Sequence, residues 1–334
     1  MKKLLVVISL LAVNLLGFTQ DIHFSQFWQS PFNMNPALAG DFDGAYRFIG
    51  NQRTQWRSVT QPYVTFGLSA DVAQWSKYQL GGVLSIYTDK SGDSGLSLTM
   101  INAGASKKLM DQKEQGLEVV GGLMLGLTSM TIDYSALQFD QQWNGYFFDP
   151  RTSTGESFDR DSRRYLNAHA GLLVAKTISP TKRWRAGLAL MNISSPRQSF
   201  FDERFVRLNP RINFHGSYFQ QIDEQWGVEP LFLIMRQMTF TEFNLGGRAH
   251  YVIDDSPYLP ISVYGGLFAR AKDAGNMLLG ARVGDWDVGL SYDFNLSDLR
   301  IASNARGGFE IGVIYVIPAT PKVDFIKKVC PDYN

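Results

Sequence analysis

The sequence predicts an all-β fold, a transmembrane antiparallel β-barrel of about 14 strands. Fourteen short segments between residues 45 and 317 alternate apolar with small or polar side chains. A period of two is typical of strands that have one apolar face. An export signal precedes these segments, and no other apolar stretch is long enough to form a membrane-spanning helix. Because only helices and closed barrels can span a bilayer, these features predict a location in the outer membrane of a diderm bacterium.

The N-terminus has the pattern of a cleavable secretory signal. Lys2 and Lys3 precede an apolar run over residues 4–16, and Gly17 and Thr19 are small residues at the −3 and −1 positions. We therefore expect cleavage before Gln20, with residues 1–19 as the signal peptide. No cysteine lies at the cleavage point, so the pattern does not predict a lipoprotein.

The alternating segments divide the rest of the chain into a short N-terminal segment (20–43), a barrel (44–318) and a periplasmic tail (319–334). Individual strand signals are weak, but their regular spacing is typical of outer-membrane barrels. Pro230 falls inside the ninth segment, where we expect an irregularity or a bulge because proline has no N–H to donate. The predicted strands span residues 45–56, 62–74, 79–87, 95–106, 116–127, 164–175, 183–192, 211–221, 225–235, 240–252, 259–269, 276–283, 286–295 and 308–317.

The lengths of the connections predict how the barrel is oriented. Short connections follow the even-numbered strands, and the two longest loops, 132–163 and 194–210, follow the fifth and seventh strands. Outer-membrane barrels have short periplasmic turns and longer external loops. The alternation therefore predicts an even number of strands, external long loops, and both termini in the periplasm.

Composition agrees with a polar lumen and excludes a nucleic-acid partner. The formal charge is +1, and removing Lys2 and Lys3 leaves 32 − 2 = 30 basic against 31 acidic residues, so the mature chain carries no basic excess for nucleic acid. The mean hydropathy is −0.13, which is too low for a bundle of membrane helices but is typical of a barrel with a polar interior. Cys330 is the single cysteine, so an internal disulfide is excluded.

The segment before the first strand is too apolar for a solvated tail. Asn35 suits a helix N-cap, Pro36 the first helical position and Gly40 the C-cap, which predicts one helical turn at residues 36–39. We expect the segment to pack against the periplasmic end of the barrel or to enter the lumen. Aromatic side chains support this expectation: Phe24, Phe27, Trp28 and Phe32.

Several short motifs, most of them before and within the first two predicted strands, carry a family resemblance. They are His23-Phe24-Ser25-Gln26, Asn33, Asn35-Pro36-Ala37-Leu38-Ala39-Gly40, Asn51-Gln52-Arg53, Trp56, Pro62-Tyr63, Ser69-Ala70-Asp71 and, in the last strand, Glu310-Ile311. With these motifs the chain resembles the PorP/SprF family of outer-membrane proteins from the type IX secretion and gliding system of Bacteroidota. The resemblance is specific over residues 21–71 and becomes a general barrel likeness up to residue 317.

This resemblance implies a component that secretes or holds cargo on the cell surface, without enzymatic activity and without cofactors. The implied partners are a cargo or adhesin with a C-terminal sorting domain, the periplasmic ring lipoprotein and its partner, and outer-membrane lipid. We expect the N-terminal segment and the tail to meet the machinery, and aromatic residues of the long loops to face the cargo. The candidate interaction residues are His23, Phe24, Gln26, Trp28, Asn35, Pro36, Arg53, Trp56, Tyr146, Phe147, Phe148, Phe200 and Phe201.

Two other classes of function stay open at this point, a passive channel or solute transporter and a membrane enzyme. A barrel of this strand count can hold a pore. His169, His215 and His250 fall on the predicted lumen face, but their spacing matches no metal signature and no nucleophile motif accompanies them. We therefore predict that they are polar lumen residues, and we predict no catalytic, metal-binding or cofactor-binding site.

Overall fold

The structure is a computed structural model, and it describes residues 21–55, 61–75, 78–92, 95–297 and 306–319. The predicted signal peptide, nearly all of the predicted tail with Cys330, and the candidate residue Trp56 lie outside these ranges. The described strands are β1 (Tyr46–Gln55), β2 (Tyr63–Trp75), β3 (Leu80–Ser91), β4 (Leu96–Gln112), β5 (Leu117–Thr131), β6 (Ser162–Ser179), β7 (Lys182–Met191), β8 (Arg211–Gln221), β9 (Trp226–Gln237), β10 (Phe240–Asp254), β11 (Ile261–Arg270), β12 (Ala274–Val283), β13 (Trp286–Asn295) and β14 (Arg306–Ile317).

The 14 strands form one closed antiparallel barrel. Each strand pairs with its neighbours in sequence, and β1 pairs with β14 from Tyr46↔Ile317 to Thr54↔Phe309 to complete the circle. Closure leaves no unpaired sheet edge, which is the condition for a strand assembly to sit in hydrocarbon. The predicted fold class is confirmed.

Alternate side chains of each strand face opposite sides of the wall, as the period of two predicts. In β2, Phe66 and Leu68 are exposed on the outside, whereas Thr65, Ser69 and Asp71 are buried towards the lumen. His169, His215 and His250 are likewise buried on the lumen side, as predicted. The outer surface is thus apolar, whereas the lumen face carries buried polar residues together with apolar ones such as Leu233.

The outer surface has aromatic side chains near both ends of the strands and aliphatic side chains between them. At the short-turn end, Trp286 stacks on Tyr315 with ring centroids 4.5 Å apart, and Trp226 packs on Tyr251 at 4.9 Å. Such girdles mark the two interfaces of a membrane, because amphipathic rings favour the headgroup level. The outer aromatic side chains near the long-loop end include Phe243, Phe294 and Phe309.

No helix among the described residues is long and apolar enough to cross a membrane.

Several predicted boundaries need correction. β4 reaches Gln112 because it stays paired with β5 up to Gln112↔Leu117, and β5 reaches Thr131 because it stays paired with β6 up to Thr131↔Ser162. The expected alternation of short and long connections fails in the second half. Only Met238 and Thr239 separate β9 from β10, and three residues separate β11 from β12. At the long-loop end, the connections between β5 and β8 are therefore long, and those between β9 and β10 and between β11 and β12 are tight turns.

Pro230 has a milder effect than a bulge. It pairs with Gly247 of β10, and the ladder between β9 and β10 has no register shift. On the other side, the ladder between β8 and β9 runs to Ser217↔Leu231 and resumes at Gln220↔Val228, so two pairs are missing but the register is unchanged. The missing N–H thus interrupts the ladder locally without adding a residue.

The apolar outer belt predicts how a charge is tolerated at different depths. Leu125 is 69 % exposed in the middle of β5, and Ile178 is exposed on the same outer side near the end of β6. We expect Leu125→Arg to lower the free energy of unfolding by about 2–4 kcal/mol, and Ile178→Arg by at most about 1 kcal/mol. Denaturant titration in phosphatidylcholine vesicles measures both, and equal losses would contradict a buried membrane position for Leu125.

Candidate functional site

The N-terminal segment 21–40, called the plug from here on, lies inside the barrel. It consists of short helical turns at Phe27–Gln29, Pro31–Met34 and Pro36–Leu38. Asn35 is the N-cap of the last turn, as predicted, and its side-chain oxygen accepts a hydrogen bond of 2.9 Å from the Ala37 N–H. The C-cap is Ala39, and the predicted Gly40 follows it with a φ of +72°, which suits glycine.

The plug runs through the lumen from one end to the other. At the long-loop end, Asn192, which follows β7, donates a hydrogen bond of 2.5 Å to Asp21. At the short-turn end, Arg183 and Arg185 at the start of β7 form ion pairs of 3.2 and 3.1 Å with Asp41. Of the two predicted positions, the structure therefore supports entry into the lumen. Because β14 ends at the short-turn end, the described N-terminal residues and the described C-terminal residues lie at opposite ends of the barrel. This placement differs from the expected one, in which both ends of the mature chain lie on the same side; the compartment that each end faces stays a prediction.

The plug fills the cross-section of the lumen. Its apolar side chains form two clusters with wall residues from strands on several sides of the barrel, so the plug is packed against the wall through two hydrophobic cores. One cluster contains Phe27, Met34, Ala37 and Leu38 with Val120, Leu173, Leu231, Leu233, Met235, Tyr264, Phe268 and Leu278. The other contains Phe32 and Ala39 with Ile49, Val83, Met124, Ala189 and Met191.

A buried ion-pair cluster holds the plug near the long-loop end. Arg53 of β1 forms ion pairs with Glu310 of β14 at 2.9 Å and with Asp293 of β13 at 2.8 Å. The carboxylate of Glu310 also accepts hydrogen bonds from the backbone N–H groups of Ser25 and Gln26, at 2.8 and 2.9 Å. One carboxylate therefore binds a wall guanidinium and two plug amides. We call Arg53, Glu310, Asp293 and Ser25 the latch.

The charges of the latch are satisfied on all sides. Arg53 also donates to the Ser25 hydroxyl, and that hydroxyl donates to Asp293 at 2.8 Å. Arg270 of β11 adds an ion pair of 3.0 Å to Asp293. Burial, together with the nearby Arg270 and Arg53, holds the pKa of the plug residue His23 well below its usual value, so this imidazole adds no positive charge to the latch.

Amide and imidazole side chains hold the middle of the plug. The Asn35 amide donates to the Leu172 carbonyl and to Nε2 of His215, both at 3.0 Å. His215 therefore accepts at Nε2, which places the proton of the neutral ring at Nδ1. From the wall, Asn213 donates to the Met34 carbonyl at 2.8 Å, and Ser106 donates to the Ala39 carbonyl.

Asp41 and Asp71 fix the exit of the plug at the short-turn end. Asp71 of β2 accepts from the Gly40 N–H at 2.7 Å and pairs with Arg47 at 2.8 Å. Burial raises the pKa of Asp41, but the positive charges of Arg185, Arg183 and Arg47 outweigh it, and the resulting pKa lies below the usual value. Asp41 is thus ionised at neutral pH.

Glycines in the wall make room for the plug. A Cβ at Gly122 would overlap backbone atoms of Pro36 and Ala37. A Cβ at Gly312 would overlap the side chain of Gln29. The plug therefore approaches the wall more closely than any wall side chain would permit.

The three lumen histidines form no catalytic arrangement. His169 accepts at Nδ1 from the Asn192 N–H at 3.1 Å, and His250 lies 3.5 Å from Glu229. Groups of three or more side chains that could hold a metal ion do not occur in the described part of the chain. His169 and His215 are thus hydrogen-bonding residues of the wall, and all three histidines lie on the lumen side, as predicted.

The structure separates the candidate residues into two groups. His23, Phe24, Gln26, Trp28, Asn35 and Pro36 belong to the plug, and Arg53 is the wall residue that holds it. In this arrangement their contacts are within the chain. A role for them in protein interaction stays a prediction. Sequence reasoning missed Asp293, Arg270 and Asn213, although polar residues at lumen-facing positions were the available signal.

The second group lies on the long loops. The rings of Tyr134 and Phe158 stack within the β5–β6 loop with their centroids 3.9 Å apart. The Tyr134 ring also packs edge-on against Phe200 of the β7–β8 loop, with the centroids 6.5 Å apart. Tyr146 is 90 % exposed. The other aromatic side chains exposed on these loops are Trp143, Phe147, Phe201 and Phe205, whereas Phe148 and Phe200 are half-buried.

These features define a plugged outer-membrane β-barrel with exposed aromatic side chains on its long loops. Residues 16–315 match the family model described as "Type IX secretion system membrane protein PorP/SprF". The chain therefore belongs to the PorP/SprF family, and the resemblance found in the sequence is confirmed. Both the family and the fold are non-catalytic in kind.

Solved structures of other outer-membrane barrels are similar in fold. The toluene transporter TodX of Pseudomonas putida is 10 % identical, with a TM-score of 0.49 over 86 % of this chain and 93 % of TodX. A FadL homologue of Pseudomonas aeruginosa is 9 % identical, with a TM-score of 0.41 over 84 % and 92 %. These values are too low to carry an argument about function. The comparison with curated proteins found no match.

The latch predicts a large cost for neutralising Glu310. Glu310→Gln removes one of the two buried carboxylates that pair with Arg53, and breaking a buried ion pair in this way costs about 3–5 kcal/mol. We expect this loss in denaturant titration, together with faster proteolysis of the N-terminal segment. Glu118→Gln is the control, because Glu118 pairs with Lys108 at a partly exposed site, and its loss should stay below about 1 kcal/mol. Equal losses for both variants would contradict the latch.

The close approach at Gly122 predicts that a single methyl group disturbs the plug. We expect Gly122→Ala to destabilise the protein by about 1–3 kcal/mol and to produce ion current in a planar bilayer where the wild type gives none. Gly50→Ala is the matched control, since a Cβ at this strand glycine meets nothing within 4 Å. If Gly122→Ala is as stable as Gly50→Ala and likewise gives no ion current, the wall does not need a glycine at position 122.

Proposed function

We propose that this protein is a plugged outer-membrane component of type IX secretion that binds and anchors, or helps to secrete, a cargo or adhesin with a C-terminal sorting domain. The observation that carries the proposal is the plug, because it occupies the lumen of a barrel whose family belongs to a secretion system. A barrel filled in this way serves better as a docking platform than as a conduit.

The long loops support a binding role. Their aromatic side chains pack against one another through Tyr134, Phe158 and Phe200, and the ion pair of 3.2 Å between Arg163 and Asp202 joins β6 to the β7–β8 loop. A supported surface with exposed aromatic side chains has the composition that protein partners favour. We propose that Tyr146, Phe147 and Phe201 contact the cargo.

The orientation follows from the loops. We propose that the long-loop end faces the outside and the short-turn end faces the periplasm. The first described residue, Asp21, then lies at the external mouth, and the chain beyond β14 lies in the periplasm, where the ring lipoprotein and its partner would bind it. Roles in gliding motility and adhesin attachment are those that the family implies.

A passive channel or transporter is the alternative, and the plug argues against it in the described arrangement. Conduction would require the plug to leave, which would expose the buried charges of Arg53 and Glu310. We propose no enzymatic activity, because the lumen histidines are engaged in structural hydrogen bonds.

Affinity purification from the host outer membrane tests the proposal. We expect a C-terminally tagged protein to recover a surface protein with a C-terminal sorting domain, and we expect Tyr146→Ser combined with Phe147→Ser to reduce that recovery at least tenfold, as mass spectrometry would measure. Tyr258→Ser is the matched control, because Tyr258 is 96 % exposed on the opposite, short-turn end.

Two outcomes would contradict the proposal. If the barrel is recovered alone and the wild type conducts ions in a planar bilayer, the protein is a channel and the proposal is wrong. If the loop variant and the Tyr258→Ser control recover the same partner equally, cargo binding does not involve the β5–β6 loop.

A further inference from the structure

Arginines gather on one side of the long-loop end, above β6–β9. Arg164 lies on the outside of β6, in line with Leu166, and Arg236 lies on the outside of β9, in line with Ile234. Three more, Arg197, Arg204 and Arg207, are exposed on the β7–β8 loop between them. We call these five residues the rim arginines.

The loop that carries three rim arginines is fixed against the top of the wall. Residues 195–209 form a hairpin in which Arg197 and Arg207 face each other in an isolated bridge. On one side, the Ser194 hydroxyl donates to the Leu166 carbonyl at 3.0 Å, and on the other, the Gln237 amide donates to the Asn209 carbonyl at 2.9 Å. The hairpin therefore bridges the tops of β6 and β9.

The rim arginines have no acidic partner in the described part of the chain. None of the ion pairs among described residues includes any of the five, and Arg207 donates only to the carbonyls of Ser195 and Arg204. The two acidic residues of the hairpin are Asp202 and Glu203, and Asp202 already pairs with Arg163. Positive charge is thus in excess at this side of the rim.

An apolar wall lies directly below this charge. Leu166 is 70 % exposed, and Leu190 and Ile212 are exposed beside it on the same outer surface. Phe205 and Val206 extend the apolar surface onto the hairpin. Guanidinium groups beside an apolar wall match a ligand that has anionic groups at one end and hydrocarbon chains at the other.

We propose that the rim arginines bind the phosphate groups of a glycolipid of the outer leaflet, with its acyl chains against the outer surface of β6–β9. Arginine suits this ligand because its planar group binds phosphate oxygens in pairs. A lipid fits better than a protein because Arg164 and Arg236 point outward from the barrel rather than upward from the loops. The leaflet assignment rests on the orientation given under the proposed function.

Lipid binding by the purified protein tests the proposal. The probe is diphosphoryl lipid A, titrated into detergent-solubilised protein, and native mass spectrometry counts the lipid molecules bound to each protein. Dephosphorylated lipid A is the comparison. We expect the wild type to bind the diphosphoryl form at least tenfold more tightly. We expect Arg164→Gln, Arg207→Gln and Arg236→Gln together to remove that preference, because three charged phosphate contacts are lost.

The control removes the same charge elsewhere on the outer surface. Lys90→Gln, Lys107→Gln and Lys176→Gln together also replace three exposed basic residues of the strands, and this variant should keep the wild-type preference. Equal binding of the two lipid forms by the wild type would overturn the proposal without reference to any variant, as would an arginine variant that keeps the preference. Displacement of lipid A by a decaglutamate peptide at equal concentration would assign the rim arginines to an acidic protein partner instead. Because the assay contains no cargo, its failure is distinct from a failure to recover the secretion partner.

Discussion

The whole fold depends on the ion pair between Arg53 and Glu310, which links the first strand, the last strand and the plug. These residues are direct partners in the ladder between β1 and β14, which is the seam where the barrel closes. The Glu310 carboxylate also accepts from the backbone of Ser25 and Gln26. Closure of the wall and docking of the plug therefore share one carboxylate. A buried charge of this kind is stable only when all of its partners are present, so the seam and the plug stabilise each other.

Packing around the plug follows from the same arrangement. Because the latch and the Asp71 contact fix the two ends of the plug, the turns between them have one position along the lumen. Apolar side chains such as Phe32 and Leu38 can then fill the space on every side, and a glycine at position 122 can admit the backbone. A loosely held plug would not need a wall shaped to individual residues. The precise fit indicates a permanent part of the folded protein.

Much of this fold could be predicted from the sequence, because the alternation of side chains is a local signal. The 14 strands and the inward direction of His215 follow from a period of two, and the cap at Asn35 follows from its residue type. The direction of the plug could not be predicted, since it depends on contacts such as Asp21 with Asn192, which are far apart in sequence. The low connections after β9 and β11 were missed because strand ends carry little signal of their own. The latch was missed because a charged residue in a lumen-facing position does not reveal which other strand it meets.

The distance in sequence between the two halves of the latch has a consequence for how the chain folds. The bond from Ser25 to Glu310 joins residues 285 positions apart, so nearly the whole barrel must be synthesised and brought together before it can form. Contacts between such distant residues lose the most chain entropy and form late. The N-terminal segment, although it leaves the ribosome first, thus acquires its native partners in the last stage of folding. Until then it is an apolar, aromatic stretch without a lumen to occupy, and exposed apolar surface of this kind promotes aggregation during folding.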